Sequence, residues 1–167
     1  MENNENQALL LTADEVSQRV ACAVTLFKQG FNCSQSVVAA YADLYGFSKE
    51  QALKMSASFG GGIGRMRQTC GAACGMFLLT GLDCGSCTEN DRAGKSHNYA
   101  VVQDLANKFK NINGSIICAE LLGIQNKPQT PEAEARTEAY YKKRPCVEMV
   151  RTAAQFFGEY LLQKQTL

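Results

Sequence analysis

Apolar residues in this chain return every three to four positions, in segment after segment, and nowhere settle into the strict alternation of a half-buried strand. That periodicity confines the chain to helices. Thr12 and Glu15 have the spacing of a capping box, and Val16, Val20, Ala23, Val24 and Phe27 follow as one stripe that Gly30 ends. Asn32 is placed to cap a second helix carrying Val37, Val38, Tyr41, Leu44 and Tyr45 up to Gly46, and Ser48 with Gln51 opens a third with Ala52, Met55 and Phe59. Gly60-Gly61-Gly62-Ile63-Gly64 then interrupts the pattern, because no helix tolerates such a run. Thr69 is the expected cap of a fourth helix through Leu79, apolar nearly all round and so expected at the centre. A polar loop follows Gly81 to about Ser96, and Val102, Leu105, Ala106 and Phe109 mark a fifth helix. Ser115 is the expected cap of a short sixth that Gly123 ends, Thr130-Pro131-Glu132 signals another start, and the last begins near Pro145. The expectation is an all-α bundle of six to seven helices, one domain over 1–167, with about the first eleven residues a flexible N-terminus.

Charge excludes several classes of partner. Lys and Arg total 17 against 16 Asp and Glu, so nothing in the balance calls for nucleic acid or an anionic membrane. No apolar run approaches the ~20 residues that cross a bilayer. Residues Met1 to Gln7 carry two Glu and no basic residue, unlike a secretory leader, so the chain reads as cytoplasmic.

In a reducing compartment, eight cysteines in 167 residues point to metal ligation or redox chemistry rather than to structural disulfides. Four of them share one setting. Cys33 follows the Asn32 cap, Cys70 follows Thr69, Cys118 lies just after Ser115, and Cys146 follows Pro145. Each falls in the expected first turn of a different helix, where free N–H groups and the helix dipole favour thiolate over thiol. These four lie tens of residues apart, without the C-x-x-C knuckle of zinc ribbons, so tertiary packing has to assemble any shared site.

Cys70-Gly71-Ala72-Ala73-Cys74-Gly75 resembles the core motif of the C-GCAxxG-C-C family of redox-active proteins. Phe31-Asn32-Cys33-Ser34-Gln35 is similar to its leading cysteine segment, and Gly60 to Arg65 to its glycine-rich approach. Cys118-Ala119-Glu120-Leu121-Leu122-Gly123 and Cys146-Val147 are similar to its last two cysteines. The resemblance runs from about residue 16 to 160. It implies a redox-active protein with Cys33, Cys70, Cys118 and Cys146 as the family's four cysteines.

Three readings follow. The four thiols act as redox-active groups that bind an iron–sulfur cluster or another metal for electron transfer with a partner protein. Alternatively they form a metal-free thiol–disulfide couple, or they close a structural zinc site. An interaction module with incidental core cysteines ranks below all three. Cys74, one turn after Cys70, reads as packing in an apolar helix or as an extra thiol, and Cys22 reads as core. Cys84-Gly85-Ser86-Cys87 is a C-x-x-C without a βαβ setting, read either as a local redox pair exchanging electrons with the four-cysteine site or as a plain loop. The glycine run lacks a P-loop pattern and is read as an anion nest helped by Arg65 and Arg67, or as a tight turn. His97, the single histidine, reads as a surface or capping residue, and Glu132 to Glu138 as a solvated helix face. No motif identifies a catalysed reaction or a substrate.

Overall fold

The computed structural model describes residues 10–125, 127 and 129–167. Among them are eight α-helices: α1 (Ala13–Lys28), α2 (Cys33–Ala39), α3 (Lys49–Ser56), α4 (Gly71–Cys84), α5 (Arg92–Asn113), α6 (Cys118–Leu122), α7 (Glu138–Lys143) and α8 (Cys146–Lys164). Short 3₁₀ turns at Ala42–Tyr45 and Ala57–Phe59 flank α3. The all-α expectation holds: among the described residues no strand forms, and Thr69 and Ile117 make one isolated antiparallel bridge. No described helix is long and apolar enough to cross a membrane.

Capping chemistry sets the first three helix starts. Thr12 with Glu15, Asn32 with Gln35 and Ser48 with Gln51 each form a reciprocal capping box, satisfying N–H groups that a helix start otherwise leaves free. Other boundaries differ from the periodicity. Cys70 itself, not Thr69, is the N-cap residue of α4, and Ile117, not Ser115, precedes α6. Asp91 accepts from Gly94 N–H and opens α5 well before Ser96. Thr130-Pro131-Glu132 starts no helix. α7 begins at Glu138, where the Thr137 side chain accepts from Tyr140 N–H.

α4 lies at the centre, packed by α2, α5 and α8, while α1 lies on α8 and α2. Small residues permit the close approach. A Cβ on Gly75 would stand 3.0 Å from Ser34 O, and one on Gly158 would meet Val16 and stand 2.6 Å from the Tyr41 hydroxyl. Tyr41, fully buried, packs edge-on against Phe157 with ring centres 5.1 Å apart, and its hydroxyl donates to Ala154 O at 2.8 Å. Burying an aromatic side chain of this size contributes roughly 1.5–3 kcal/mol. Residues 1–9 of the expected flexible N-terminus lie outside the described residues, and Leu11 is buried, its backbone paired with the Gln165 amide.

Candidate functional site

Cys33, Cys70, Cys118 and Cys146 line one cavity of about 50 Å³. Cys33, Cys118 and Cys146 are the first residues of α2, α6 and α8, and Cys70 is the residue before α4. Asn32 caps the helix that Cys33 begins, the other three start without a side-chain cap, and three features bring the four starts together.

The first is the glycine run. Gly61, Gly62, Ile63, Gly64 and Arg65 all have φ between +57° and +73°, forming a left-handed turn of five successive residues. Glycine enters that region freely, but Ile63 and Arg65 pay about 1–2 kcal/mol each. Backbone bonds hold the turn: Gly64 N–H donates to Ser58 O at 2.7 Å, and Gln68 N–H to Gly62 O at 2.9 Å. The N–H groups from Ile63 to Gln68 all find carbonyl partners within the turn, so they form no anion nest. The second feature is the pairing that follows the turn. Cys70 N–H donates to Ile116 O at 2.7 Å, Cys118 N–H to Gln68 O at 2.6 Å, and Ala119 N–H to Arg67 O at 3.2 Å. This ladder sets the Cys70 and Cys118 segments side by side. The third is the absence of side chains at the contacts. A Cβ on Gly71 would collide with Cys33 Sγ and stand 2.6 Å from Phe59 O, and one on Gly62 would stand 2.6 Å from Cys118 Cβ.

Arginine closes the rest of the wall, a feature the periodicity does not signal. Arg67, Arg136 and Arg144 line the cavity together with Tyr140. Arg136 donates to Phe31 O at 3.1 Å and lies 4.5 Å over the Phe27 ring; Tyr140 sits between Arg136 and Arg144, 4.7 Å from each. Arg67 is buried, with Nη1 3.8 Å from Cys118 Sγ. Arg65 turns away to Thr130 O and Glu134. Glu134 pairs with Arg65 at 2.8 Å and with Arg144 at 2.5 Å. Burial pushes its carboxyl up, but these arginines outweigh that and hold it below the usual range. The acidic run is exposed, as expected, but it is not helical before Glu138.

At Cys70, Cys118 and Cys146 the expected thiolate character is overturned by burial. Burial drives the Cys70 thiol well above its ordinary value, reinforced by Cys33, although the Ala72 and Ala73 N–H groups pull the other way. Burial likewise raises Cys118 against the opposing Arg67, and pushes Cys146 up to about 11. Desolvation here exceeds the helix-start effect. Cys70, Cys118 and Cys146 are thus held toward the thiol form, and each releases its proton when a metal takes the sulfur or when it oxidises with a second cysteine to a disulfide.

The remaining cysteines lie elsewhere. Cys74 is buried in α4, its thiol directed at Thr69 O and raised to about 11 by burial. Cys22 is exposed on α1 rather than in the core, because it stands about 100° around the helix from Ala23. Cys84 ends α4 and Cys87 is exposed in the loop beyond, so the pair lies at the opposite end of a 14-residue helix from Cys70, about 20 Å away. Thiol exchange needs sulfur to touch sulfur, and this separation rules out direct exchange with the cavity inside one molecule. His97 is exposed on α5 and does not line the cavity.

As placed, no three of the His, Cys, Asp or Glu side chains among the described residues converge tightly enough to hold a single metal ion. The donor set nevertheless suits a thiolate-held group. Four cysteines line one cavity, glycines clear the space that Cβ atoms would fill, and the buried Arg67 that also lines it has an Nε–H with no partner among the described residues. The volume exceeds the 10–15 Å³ that one water needs.

An all-α molecule with four distant cysteines gathered on one cavity is thus the class of protein at hand. Residues 31–160, more than three quarters of the chain, match the family described as "Putative redox-active protein (C_GCAxxG_C_C)", and the chain belongs to that family. No curated protein and no solved structure matches the chain.

Proposed function

We propose that the protein is an electron-transfer protein whose Cys33, Cys70, Cys118 and Cys146 hold an iron–sulfur cluster. The observation that carries this reading is the meeting of all four family cysteines on one arginine-walled cavity. Four thiolates bring several negative charges into a buried space, and such charges persist only when paired. Arg67, Arg136 and Arg144 supply that pairing. One zinc would draw four sulfurs to about 2.3 Å of one centre, and no three donors stand so among the described residues. When bound, the cluster supplies one-electron chemistry. The chain's part is to hold it on four helix starts, wall it with apolar and cationic side chains, and limit water.

A metal-free couple is the second reading. The nearness of the Cys33 sulfur to the start of α4, beside Cys70, favours that pair as the disulfide.

Iron and acid-labile sulfide analysis with a visible spectrum, on protein purified without oxygen, tests both. Iron with matching sulfide, lost from a Cys70→Ser variant, is the expected result. Colourless, metal-free protein that forms a Cys33–Cys70 disulfide in an oxidising glutathione buffer overturns the cluster and establishes the couple.

A further inference from the structure

Arg67 is an expensive residue to place where it stands. Only 4% of it is exposed, and its φ of +61° lies in the left-handed region. The backbone is pinned there by Arg67 N–H donating to Gly61 O and by Ala119 N–H donating to Arg67 O, both at 3.2 Å. Its guanidinium is only partly paired. Nη1 stands 3.8 Å from Cys118 Sγ, and Nη2 is 3.7 Å from Glu134, beyond hydrogen-bond range. Glu134 is also shared, with Arg65 and Arg144 both closer to it than Arg67 is. Nε has no partner among the described residues. A buried charge left in this state costs several kcal/mol. A negatively charged occupant of the cavity offsets that cost.

We propose that Arg67 donates its free Nε–H to a sulfur of the thiolate-held group in this cavity and, through its buried positive charge, raises the reduction potential of that group. This inference rests on the cluster reading and adds to it the residue that sets the potential. The physics has a definite sign. Reduction adds one electron, and so one negative charge, to the bound group. A cation at fixed short range stabilises the reduced form more than the oxidised form, and hydrogen bonds to cluster sulfur act in the same direction. Arg67 is a positioning and tuning residue and undergoes no chemistry itself. Arg65 cannot substitute for it, because Arg65 is committed to Thr130 and Glu134.

Spectroelectrochemical titration of anaerobically purified protein tests this, comparing the unaltered chain with Arg67→Lys and Arg67→Gln. Iron content and far-ultraviolet dichroism are measured on each. Arg67→Gln is expected to shift the balance of reduced to oxidised protein at least tenfold toward oxidised at fixed potential, a fall of 59 mV or more for one electron. Arg67→Lys, which keeps the charge, should shift it less. Failure of Arg67→Gln to load iron while Arg67→Lys loads it also supports the inference, since charge is then required to hold the group. An unchanged potential in fully loaded Arg67→Gln overturns it and leaves the cluster reading standing. So does loss of iron from both variants with helicity intact, which assigns the guanidinium a packing role alone. Absence of iron and sulfide from the unaltered protein overturns the cluster reading, and the inference with it.

Discussion

Cys22 and Cys87 are exposed, Cys70 and Cys118 are buried, and solvent access divides them further by reactivity. Attack on an alkylating reagent needs both an open path to the sulfur and a thiolate, and burial denies Cys70 and Cys118 both. Brief treatment of the native protein with iodoacetamide, read by peptide mass spectrometry, is expected to label Cys22 and Cys87 first. Cys70 and Cys118 should be labelled only after unfolding in urea. Early labelling of Cys70 would mean that the cavity is open. At this scale the sequence was informative where chemistry is local. The Asn32 cap puts Cys33 at a helix start by local chemistry alone, whereas Thr69 and Ser115 do not cap α4 and α6, and Cys70 and Cys118 are held by the pairing of their segments. It was uninformative where burial is decided by distant segments. Arg67 is a polar residue in a polar stretch, and its burial comes from the left-handed turn before it and the Ile116–Ala119 segment opposite.

Elements are misread where tertiary contacts outbid propensity. Thr130-Pro131-Glu132 followed by Ala and Glu is a good helix start, yet each helix-forming residue there gains only about 0.7 kcal/mol or less. Charged hydrogen bonds contribute about 1.5–3 kcal/mol each, and Glu134, Arg136 and Thr130 all make them in an extended path. The same competition predicts the effect of Gly158→Ala in α8. Alanine improves helix propensity by about 1 kcal/mol, but its methyl meets Val16 and the Tyr41 hydroxyl, and overpacking costs about 1–3 kcal/mol. A urea titration should therefore show lower stability for the variant, by up to about 2 kcal/mol; a gain would mean that α1 slides aside. Between α1 and the turn after α2, Arg19 binds Asp43 through both carboxylate oxygens, at 2.6 and 2.9 Å. The Arg19 hydrogen bond holds the Asp43 carboxyl below its ordinary range. A depressed carboxylate pKa contributes stability that is present above the unfolded value and lost as pH falls through the folded one. The urea midpoint of Asp43→Asn should thus fall less steeply than that of the unaltered protein below about pH 4. Parallel acid limbs for the two proteins would show that the pair adds nothing.

Across the whole molecule, the all-α class was legible because amphipathic period survives averaging over many residues, although eight helices form among the described residues where six to seven were expected. Which helix touches which was not, since side-chain stripes carry no address. Nothing in the first stripe tells that α1 lies along α8, with Val16 against Gly158. That contact joins the earliest described helix to the latest, and it bears on when the protein can be completed. During synthesis α1 emerges with its apolar face uncovered and waits through more than a hundred residues for its partner. The cavity waits as long, because Cys146 leaves the ribosome after the other three cysteines and begins the same helix. A chain ending at residue 145 should accordingly be degraded by dilute protease under conditions that the complete chain survives, and should melt without a cooperative transition. Protease resistance in that fragment would show that α1 through α7 close on themselves. Maturation of the four-cysteine site is in this sense a strictly late event in the life of each copy, scheduled by the position of one helix along the message.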